Sequence, residues 1–403
     1  MAMYFKLLAA LAAATLAGCF GPGAEPGGAP APDAHRPADA GDAGTPADAG
    51  GNAGGNAGGT GGAAAETGGA SNGEAPAAEP YVVLAEKLRA PWAIAFDGET
   101  IYVSEREGSV VRVEPDGTAT RKPVRLQAGV AASGESGFLG FALAPNFAET
   151  KAAYAYHTYE ANGAMRNRVV LLEERETEWV ELRPLLEGIP GSRIHDGGRI
   201  AIGPDGHVYV TTGDAGEEAY AQDRSSLAGK ILRLAPDGSV PEDNPFPGSY
   251  VYSYGHRNPQ GLAWSADGAM YAAEHGPSGR PGGHDEINAI EAGGNYGWPK
   301  VYGDENEPGL IAPLYHSGEP PAIAPSGAAM GEDGRLLLAT LRGETLFRFD
   351  PAAPERLEPL LEGEGRLRDV AAKGGFAYVL TNNTDGRGTP GPSDDRLLKV
   401  RLP

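Results

Sequence analysis

Residues 199–210 read RIAIGPDGHVYV, and this stretch decides the fold. Two short runs of β-branched and aromatic residues flank Asp205-Gly206, a pair typical of the tight turn in a β-hairpin. The unit recurs six times at intervals of roughly 40 to 70 residues, with its first run at 92–96, 138–142, 199–202, 261–264, 328–330 and 369–370. Repetition at this period predicts an all-β fold, a six-bladed β-propeller over residues 81–403. A long β-sandwich or tandem β-domains would not repeat one unit in this way.

The first eighteen residues have the features of an export signal. Lys6 supplies a positive charge, and the apolar run 7–18 is too short to span a bilayer as a permanent helix. Residues 16–19 read LAGC and look like a bacterial lipobox, in which Cys19 is lipidated and becomes the new N-terminus. We therefore expect residues 1–18 to be a lipoprotein signal peptide. A plain signal peptide with an incidental cysteine is the alternative.

Residues 19–80 are expected to be the lipidated Cys19 and a disordered tether. Gly, Ala and Pro fill 43 of the positions from 21 to 80, and Ile, Leu, Val and aromatic residues are absent there. Such a segment buries nothing and cannot offset its ordering entropy, and as a flexible chain it would reach about 40–50 Å. The protein is thus expected to be exported and lipid-anchored, in the periplasm or at the cell surface. The residue after Cys19 is Phe20 and not Asp, which favours the outer membrane over the inner membrane.

Charge and cysteine content exclude several classes of function. The formal net charge of −21 argues against nucleic acid and anionic membrane surfaces as partners, because both demand a basic surface. The membrane is therefore expected to be reached only through the lipid anchor. The single cysteine excludes an internal disulfide, a cysteine-based zinc site and iron–sulfur chemistry within one chain. Any redox chemistry must therefore be carried by a cofactor.

The repeat also predicts where the charged side chains meet. In a propeller blade the innermost strand starts at one face and the next strand returns to it, so residues before the first run and after the second run surround one axial mouth. The residues in these positions are Glu135, His195, Arg257, Asn258, Ser326, Arg366, Arg368, Asp214, Glu274, His275, Gly276, Pro277 and Arg342. Converging arginines are costly unless an anion binds among them, and guanidinium groups match carboxylates bidentately. We therefore expect a guest with several carboxylates.

Eleven motifs in chain order resemble one family. They are Leu88-x-x-Pro91-Trp92, Gly137–Gly140 with Pro145–Phe147, His195–Arg199, Gly213-Asp214, Gly229–Arg233, Asn244–Phe246, Gly255–Gly261, Glu274–Pro277, Asp285–Asn288, Asn295–Pro299 and Arg366–Val370. Across residues 81–403 the sequence resembles the soluble quinoprotein sugar dehydrogenases of the glucose/sorbosone dehydrogenase family. The resemblance implies a propeller that uses pyrroloquinoline quinone and calcium to oxidise aldose sugars at C1 to lactones.

The resemblance implies catalytic roles for four residues. His195 corresponds to the base that takes the proton of the sugar C1 hydroxyl, and Asp214 to the carboxylate that orients it. A histidine is suited to this task because its ring titrates near neutral pH. Arg257 and Asn258 correspond to the pair that contacts the quinone oxygens of the cofactor and stabilises its reduced form.

The resemblance also implies a clamp for the cofactor carboxylates. Arg342, Arg366 and Arg368 are its expected members, although the family often has Lys at the first of these positions. Glu135 lies at a cofactor-contacting position where the family usually has Gln. Its carboxylate could be protonated, pair with an arginine or bind calcium.

Calcium is expected at two places. The carbonyls of Gly276 and Pro277 look like the ligands of the calcium that bridges protein and cofactor, and calcium accepts backbone carbonyls. Glu286 and the carbonyl of Tyr296 suggest a second, structural calcium. The alternative for Glu286 is a surface carboxylate beside a glycine-rich turn.

The sequence thus predicts an oxidoreductase acting on aldoses, with an electron acceptor (a cytochrome, a quinone or an artificial dye) that the sequence does not identify. Two other functions stay open. One is a calcium-dependent propeller lactonase or esterase, whose site would centre on acidic and amide ligands. The other is a non-catalytic binding propeller displayed on the cell surface.

Overall fold

Strand β1 (Tyr81–Ala85) begins the fold in this computed structural model, which describes residues 80–278 and 282–403. The predicted signal peptide, the lipidation at Cys19 and the tether lie outside the described residues. The fold is nearly all-β, with sheets arranged as six antiparallel four-stranded blades. The six repeated runs of the sequence are the innermost strands of these blades, which confirms the predicted propeller.

The blades follow one another along the chain. The first consists of β2 (Pro91–Asp97), β3 (Thr100–Glu105), β4 (Ser109–Val113) and β5 (Ala119–Arg125), and the second of β6 (Phe138–Leu143), β7 (Ala152–Ala161), β8 (Ala164–Glu174) and β9 (Trp179–Pro190). The third consists of β10 (Ile200–Ile202), β11 (Val208–Thr212), β12 (Lys230–Leu234) and β13 (Val251–Tyr254), and the fourth of β14 (Pro259–Trp264), β15 (Met270–Glu274), β16 (Glu286–Ile290) and β17 (Tyr315–His316). The fifth consists of β18 (Pro325–Met330), β19 (Leu336–Thr340), β20 (Thr345–Phe349) and β21 (Leu357–Glu362).

The sixth blade joins the two ends of the described chain. It contains β22 (Leu367–Lys373), β23 (Phe376–Thr381) and β24 (Leu397–Arg401), and β1 is its outermost strand. Strand β1 runs antiparallel to β24, with Tyr81 opposite Val400. The innermost strands contact one another in the order β2, β6, β10, β14, β18 and β22, and β22 contacts β2 again, which closes the ring.

The core lies between the blades, where the apolar faces of neighbouring sheets meet. Trp179 of β9 is almost completely buried and packs edge-on against Tyr102 and Phe141, with ring centroids 5.9 and 5.2 Å away. A short parallel pairing between β5 and β9 joins the outer edges of the first two blades. Each aromatic contact of this kind contributes about 0.5–1.5 kcal/mol to stability, beyond the contribution of the apolar area that it buries.

Helices are minor in the described residues. The two assigned, α1 (Phe147–Thr150) and α2 (Ala219–Gln222), have four residues each, and over this part of the chain no helix has the length and apolar character needed to cross a membrane.

Candidate active site at the axial mouth

His195 lies in the loop that leads into β10, at the end of the blades where the repeat predicted the axial mouth. Its ring Nδ1 is 2.7 Å from Oδ1 of Asp214, which follows β11. Bonding of Nδ1 to the carboxylate leaves Nε2 as the nitrogen available to a substrate. The pairing of this His and Asp, predicted from the motif order, is present in the structure.

The Asp214 carboxylate is held by three donors. Besides the His195 ring, it accepts hydrogen bonds from the backbone N–H of Gly216 and from the indole Nε1 of Trp298, both at 2.8 Å. Burial disfavours the charged carboxylate, but the His195 contact, the Gly216 N–H and the charge of Arg257 outweigh it and lower the pKa of Asp214. Asp214 is therefore an ionised partner that can stabilise a protonated His195.

Gly213 explains why β10 and β11 can bring these side chains together. A Cβ atom at this position would lie 1.9 Å from the carbonyl oxygen of His195. Only glycine permits this close approach of the two backbones, so the Gly213-Asp214 pair places the carboxylate beside the ring.

Arg257 and Asn258 precede β14 and are buried at the same mouth. The Arg257 guanidinium lies over the Trp298 ring, 5.4 Å from its centroid, and donates to the Ser278 hydroxyl at 2.8 Å. Burial lowers the pKa of Arg257 against the raising effect of nearby carboxylates, of which Asp214 is the largest contributor. The Asn258 side chain accepts a hydrogen bond from the N–H of Gly197 at 3.0 Å.

Arg366 and Arg368 are buried where β22 begins. Arg368 donates to Oε1 of Gln260 at 2.9 Å and to the Ser326 hydroxyl at 3.2 Å. Arg366 donates to Asp385 at 3.0 Å. Burial lowers the pKa of Arg368 to about 9. The two guanidinium groups therefore lie near one carboxylate, that of Asp385, and are two of the four arginines that the blade phase assigned to the mouth.

Five buried nitrogens of the mouth have no hydrogen-bond partner within residues 80–278 and 282–403. They are Nε of Arg257, Arg366 and Arg368, Nη2 of Arg199 and Nε2 of His275. A buried donor without a partner costs about 1–3 kcal/mol, and more for a charged group. A planar guest with several carboxylates could accept hydrogen bonds from these donors, so the residues present fit pyrroloquinoline quinone.

Arg342 and Glu135 occupy the rim. Arg342 follows β19 at the mouth end, but its side chain is exposed and forms no ion pair with the described residues. Its assignment to the cofactor clamp stays a prediction. Glu135 is paired with Arg387 at 3.0 Å, so pairing with an arginine, one of the three alternatives for this residue, is observed.

The loop after β15 carries Gly276 and Pro277. The Gly276 N–H donates to Asp285 at 2.9 Å, and Asp285 also accepts the N–H groups of Ile323 and Ala324 at 2.6 and 2.8 Å. These bonds fix the loop beside Arg257. Among the described residues no group of three or more His, Cys, Asp and Glu side chains could hold a metal ion. The calcium ligands predicted for this loop are the carbonyl oxygens of Gly276 and Pro277.

Glu286 is buried at the start of β16, opposite Glu274. Asn288 Nδ2 lies 3.2 Å from Glu286 and 3.5 Å from Glu274, and Asn288 Oδ1 is buried without a partner among the described residues. Burial and the neighbouring Glu274 raise the pKa of Glu286. A cation would relieve this crowding of oxygens, which fits a structural calcium. Tyr296 stacks on His256 in the same blade, with ring centroids 4.7 Å apart, and its carbonyl stays a predicted ligand.

Sequence reasoning missed four residues of this site: Trp298, Arg199, Asp385 and Arg387. Trp298 and Arg199 lie in quoted motifs, but nothing in the motifs indicates that their side chains enter the mouth. Arg199 donates to the Gln260 carbonyl at 2.8 Å and lies over the Trp92 ring, 4.3 Å from its centroid. Asp385 and Arg387 follow the second strand of the last blade, so the blade phase could have indicated them.

This six-bladed fold, with a His–Asp pair and buried arginines at one axial mouth, defines a class of propeller enzymes whose charged mouth is built for an anionic guest. The chain belongs to the glucose/sorbosone dehydrogenase family, whose model matches residues 88–397, and it is therefore an oxidoreductase.

Named relatives and solved structures agree with this assignment. The chain is similar to quinoprotein glucose dehydrogenase B of Acinetobacter calcoaceticus, at 34% identity over 74% of this chain and 84% of the relative. It is 29% identical to aldose sugar dehydrogenase YliI of Escherichia coli, over 77% of this chain and 92% of that protein. The PQQ-bound form of aldose sugar dehydrogenase from Streptomyces coelicolor superposes with a TM-score of 0.73, at 40% identity, covering 79% of this chain and 96% of that one.

Proposed function

We propose that this protein oxidises aldose sugars at C1 to lactones with pyrroloquinoline quinone and calcium, and that His195 is the general base. The observation that carries the proposal is the His195–Asp214 pair at 2.7 Å beside the unpartnered, buried nitrogens of Arg257, Arg366 and Arg368. The pair supplies a base, and the nitrogens supply a site for an anionic cofactor. The quinoprotein relative and the PQQ-bound neighbour support the choice of cofactor.

The proton chemistry follows from the bonding of the His195 ring. Nδ1 donates to ionised Asp214, so Nε2 carries the lone pair that can accept the C1 hydroxyl proton. The positive ring that results is stabilised by the same carboxylate. Trp298 and Gly216 keep that carboxylate in place by donating to it.

The cofactor would be held by Arg366, Arg368 and Arg342 at its carboxylates and by Arg257 and Asn258 at its quinone oxygens. The carbonyls of Gly276 and Pro277 would hold the calcium. When bound, the quinone supplies the hydride acceptor, and the calcium polarises the carbonyl that receives it. Glu286 and Tyr296 would hold the second calcium, which is structural.

Reconstitution tests the proposal. Purified apo protein is mixed with pyrroloquinoline quinone and calcium, and reduction of an artificial dye is followed across a panel of aldoses. Sugar-dependent dye reduction that requires both additions is expected. Hydrolysis of lactones or esters without dye reduction would instead favour the calcium-dependent lactonase or esterase. Binding of sugar without any turnover would favour the non-catalytic binding propeller.

We also propose the cellular setting that the N-terminal sequence predicts. Residues 1–18 would direct export, Cys19 would carry the lipid, and residues 20–80 would tether the domain 81–403 at a periplasmic or surface-exposed membrane face, with the outer membrane favoured. Electrons would leave to a cytochrome, a quinone or a dye. Nucleic acid is not expected as a partner because of the net charge of −21.

A further inference from the structure

His195 has an unusual backbone conformation. Its φ is +56°, in the left-handed region, which costs about 1–2 kcal/mol for a residue with a Cβ atom. Such a conformation persists only where surrounding contacts hold it, and it is frequent at functional sites. The contacts that hold His195 therefore decide where its ring points.

Three polar contacts hold this residue. The ring is bonded to Asp214, the carbonyl accepts the N–H of Ala215 at 3.2 Å, and the backbone N–H donates to Oε2 of Glu135 at 3.0 Å. The segment of Glu135 is itself fixed, because its own N–H donates to the Arg193 carbonyl at 2.9 Å. Glu135 is thus a brace on the backbone of the proposed base.

Arg387 fixes the other oxygen of Glu135. It donates to Oε1 at 3.0 Å across 252 residues of sequence, from the loop between β23 and β24. Its own backbone N–H is held by Oδ1 of Asp385 at 2.8 Å, and Oδ2 of Asp385 pairs with Arg366 at 3.0 Å. The loop between β23 and β24 therefore links Arg366, a proposed cofactor-binding arginine, with Glu135, whose carboxylate holds the backbone of His195.

The surroundings of Glu135 keep it ionised. The charged and titratable groups around it are His195, His275, Arg387, Arg257, Arg368 and Asp196, and those around the His195 ring are Asp214 and Glu135. Burial opposes ionisation, but His275 and His195 when protonated, together with the Arg387 guanidinium, lower the pKa of Glu135 to about 2. A charged carboxylate is a stronger acceptor for the His195 N–H than a neutral amide.

We propose that Glu135 and Arg387 form a positioning pair that holds His195 in its working conformation and balances the charge next to its ring. This inference rests on the proposed role of His195 as the general base. Arg387 acts through Glu135: it orients the carboxylate and neutralises it, so that the carboxylate braces the backbone without stabilising the protonated ring.

The two members of the pair should shift the pH profile in opposite directions. Arg387→Met leaves the Glu135 charge unbalanced, which favours protonated His195, so the acid limb of kcat moves to higher pH. Glu135→Gln keeps an acceptor and removes the charge, so the limb moves to lower pH. Since the pair is partly exposed (50% for Arg387 and 18% for Glu135), we expect Arg387→Met to lower kcat about two- to fivefold at neutral pH. KM for the sugar should not change, at saturating cofactor and calcium.

A double variant and two controls complete the experiment. The double variant Glu135→Gln with Arg387→Met carries neither charge, so its acid limb should return toward the wild-type position. Arg387→Lys should behave as wild type, which separates the loss of charge from damage to the loop. Arg125→Met breaks an ion pair with Glu178 that is also partly exposed, on the outer strand β5, and should have no effect.

The outcomes distinguish the two proposals. Limbs that move in the same direction, or a double variant whose limb stays displaced from the wild-type position, would overturn the positioning pair. Undiminished turnover in His195→Gln would instead overturn the proposed base, and the positioning pair with it. Opposite shifts in the single variants, a limb restored in the double variant and an inactive His195→Gln together support both.

Discussion

His195 has a strained backbone conformation that is held by hydrogen bonds, and this suits the role of general base proposed for its side chain. The strain is borne by contacts from Glu135, which precedes β6, and from Asp214 and Ala215, which are consecutive residues after β11. The ring is therefore held in place by the fold itself, and the proposed base would need no ordering during the reaction.

The first prediction concerns the ring itself. His195→Gln should bind pyrroloquinoline quinone and calcium as wild type does but lose about a hundredfold or more in turnover, which is the usual magnitude of general-base catalysis. Wild-type turnover should also fall as acid protonates the ring, and the variant should lack this limb. Dye-reduction rates against pH measure both effects. His207→Gln, in the turn at the opposite face, is the control.

The second prediction concerns the clamp. Arg366→Ala or Arg368→Ala should weaken cofactor binding about ten- to a hundredfold, since each removes a charge-assisted contact worth about 1.5–3 kcal/mol. Titration of apo protein with cofactor measures the change, and turnover at saturation should fall less. Arg112→Ala, on strand β4, removes a partly exposed arginine and should leave affinity unchanged. Unaltered affinity in both clamp variants would count against the clamp.

From the sequence alone, most of these residues could be assigned to the mouth, but the contacts of their side chains could not be predicted. Blade phase brought His195, Asp214 and Arg368 to one mouth, because strand direction follows from the repeat. It could not predict that Trp298 donates to Asp214 or that Arg387 reaches Glu135. Those contacts depend on loop conformations that have no periodicity.

The loop after β15, where calcium and the cofactor are proposed to bind, is fixed by close backbone packing. Gly276 comes so close to the loop ahead of β16 that a Cβ atom would lie 2.2 Å from the Gly283 carbonyl. The carbonyls of this loop are thereby fixed by backbone packing and by Asp285, with no side-chain ligand required.

The third prediction follows for calcium. Exhaustive chelation should abolish turnover and release the cofactor, and added calcium should restore both. Magnesium should substitute poorly, because it requires a small octahedral shell and retains its waters. Elemental analysis must confirm the loss of metal. Full turnover of the metal-free protein would contradict the Gly276–Pro277 site.

The fourth prediction concerns strand β7, where His157 is completely buried. Burial lowers the pKa of His157 to about 4, helped by the charge of Arg168 and opposed by a hydrogen bond to the Thr158 carbonyl. The unfolded chain therefore binds a proton at this histidine at higher pH than the folded chain does. The contribution of neutral His157 to the free energy of unfolding is fully present above about pH 6.5 and is lost as pH falls toward 4. The decrease in Tm between pH 7.5 and pH 5 should be smaller in His157→Leu. An equal decrease in both proteins would exclude this role.

The molecule as a whole combines a rigid ring with an N-terminal region of very different composition. A net charge of −21 disfavours binding to polyanions such as nucleic acid. Six blades were predictable because each repeats the same local signal. The closure of the ring by β1 and the parallel pairing of β5 with β9 were not, because pairing between distant segments leaves no local pattern.

The fifth prediction concerns that N-terminal region. Cys19→Ser should release the protein from membranes with its turnover intact, and deletion of residues 20–80 should leave Tm and turnover unchanged, since the segment contains nothing to bury. Membrane fractionation and thermal unfolding measure the two effects. A marked loss of Tm on truncation would mean that the segment belongs to the fold.

The pairing of β1 with β24 has a consequence for how freely this chain could be rewired. Tyr81 faces Val400 at the end of the sixth blade away from the mouth, so the two ends of the propeller are neighbours. A short peptide could join them, and the chain could be opened at an exposed hairpin such as Asp333-Gly334, with every strand pairing kept. The fold therefore does not depend on which blade comes first in the chain. A circular permutant would form the same mouth from a different starting residue.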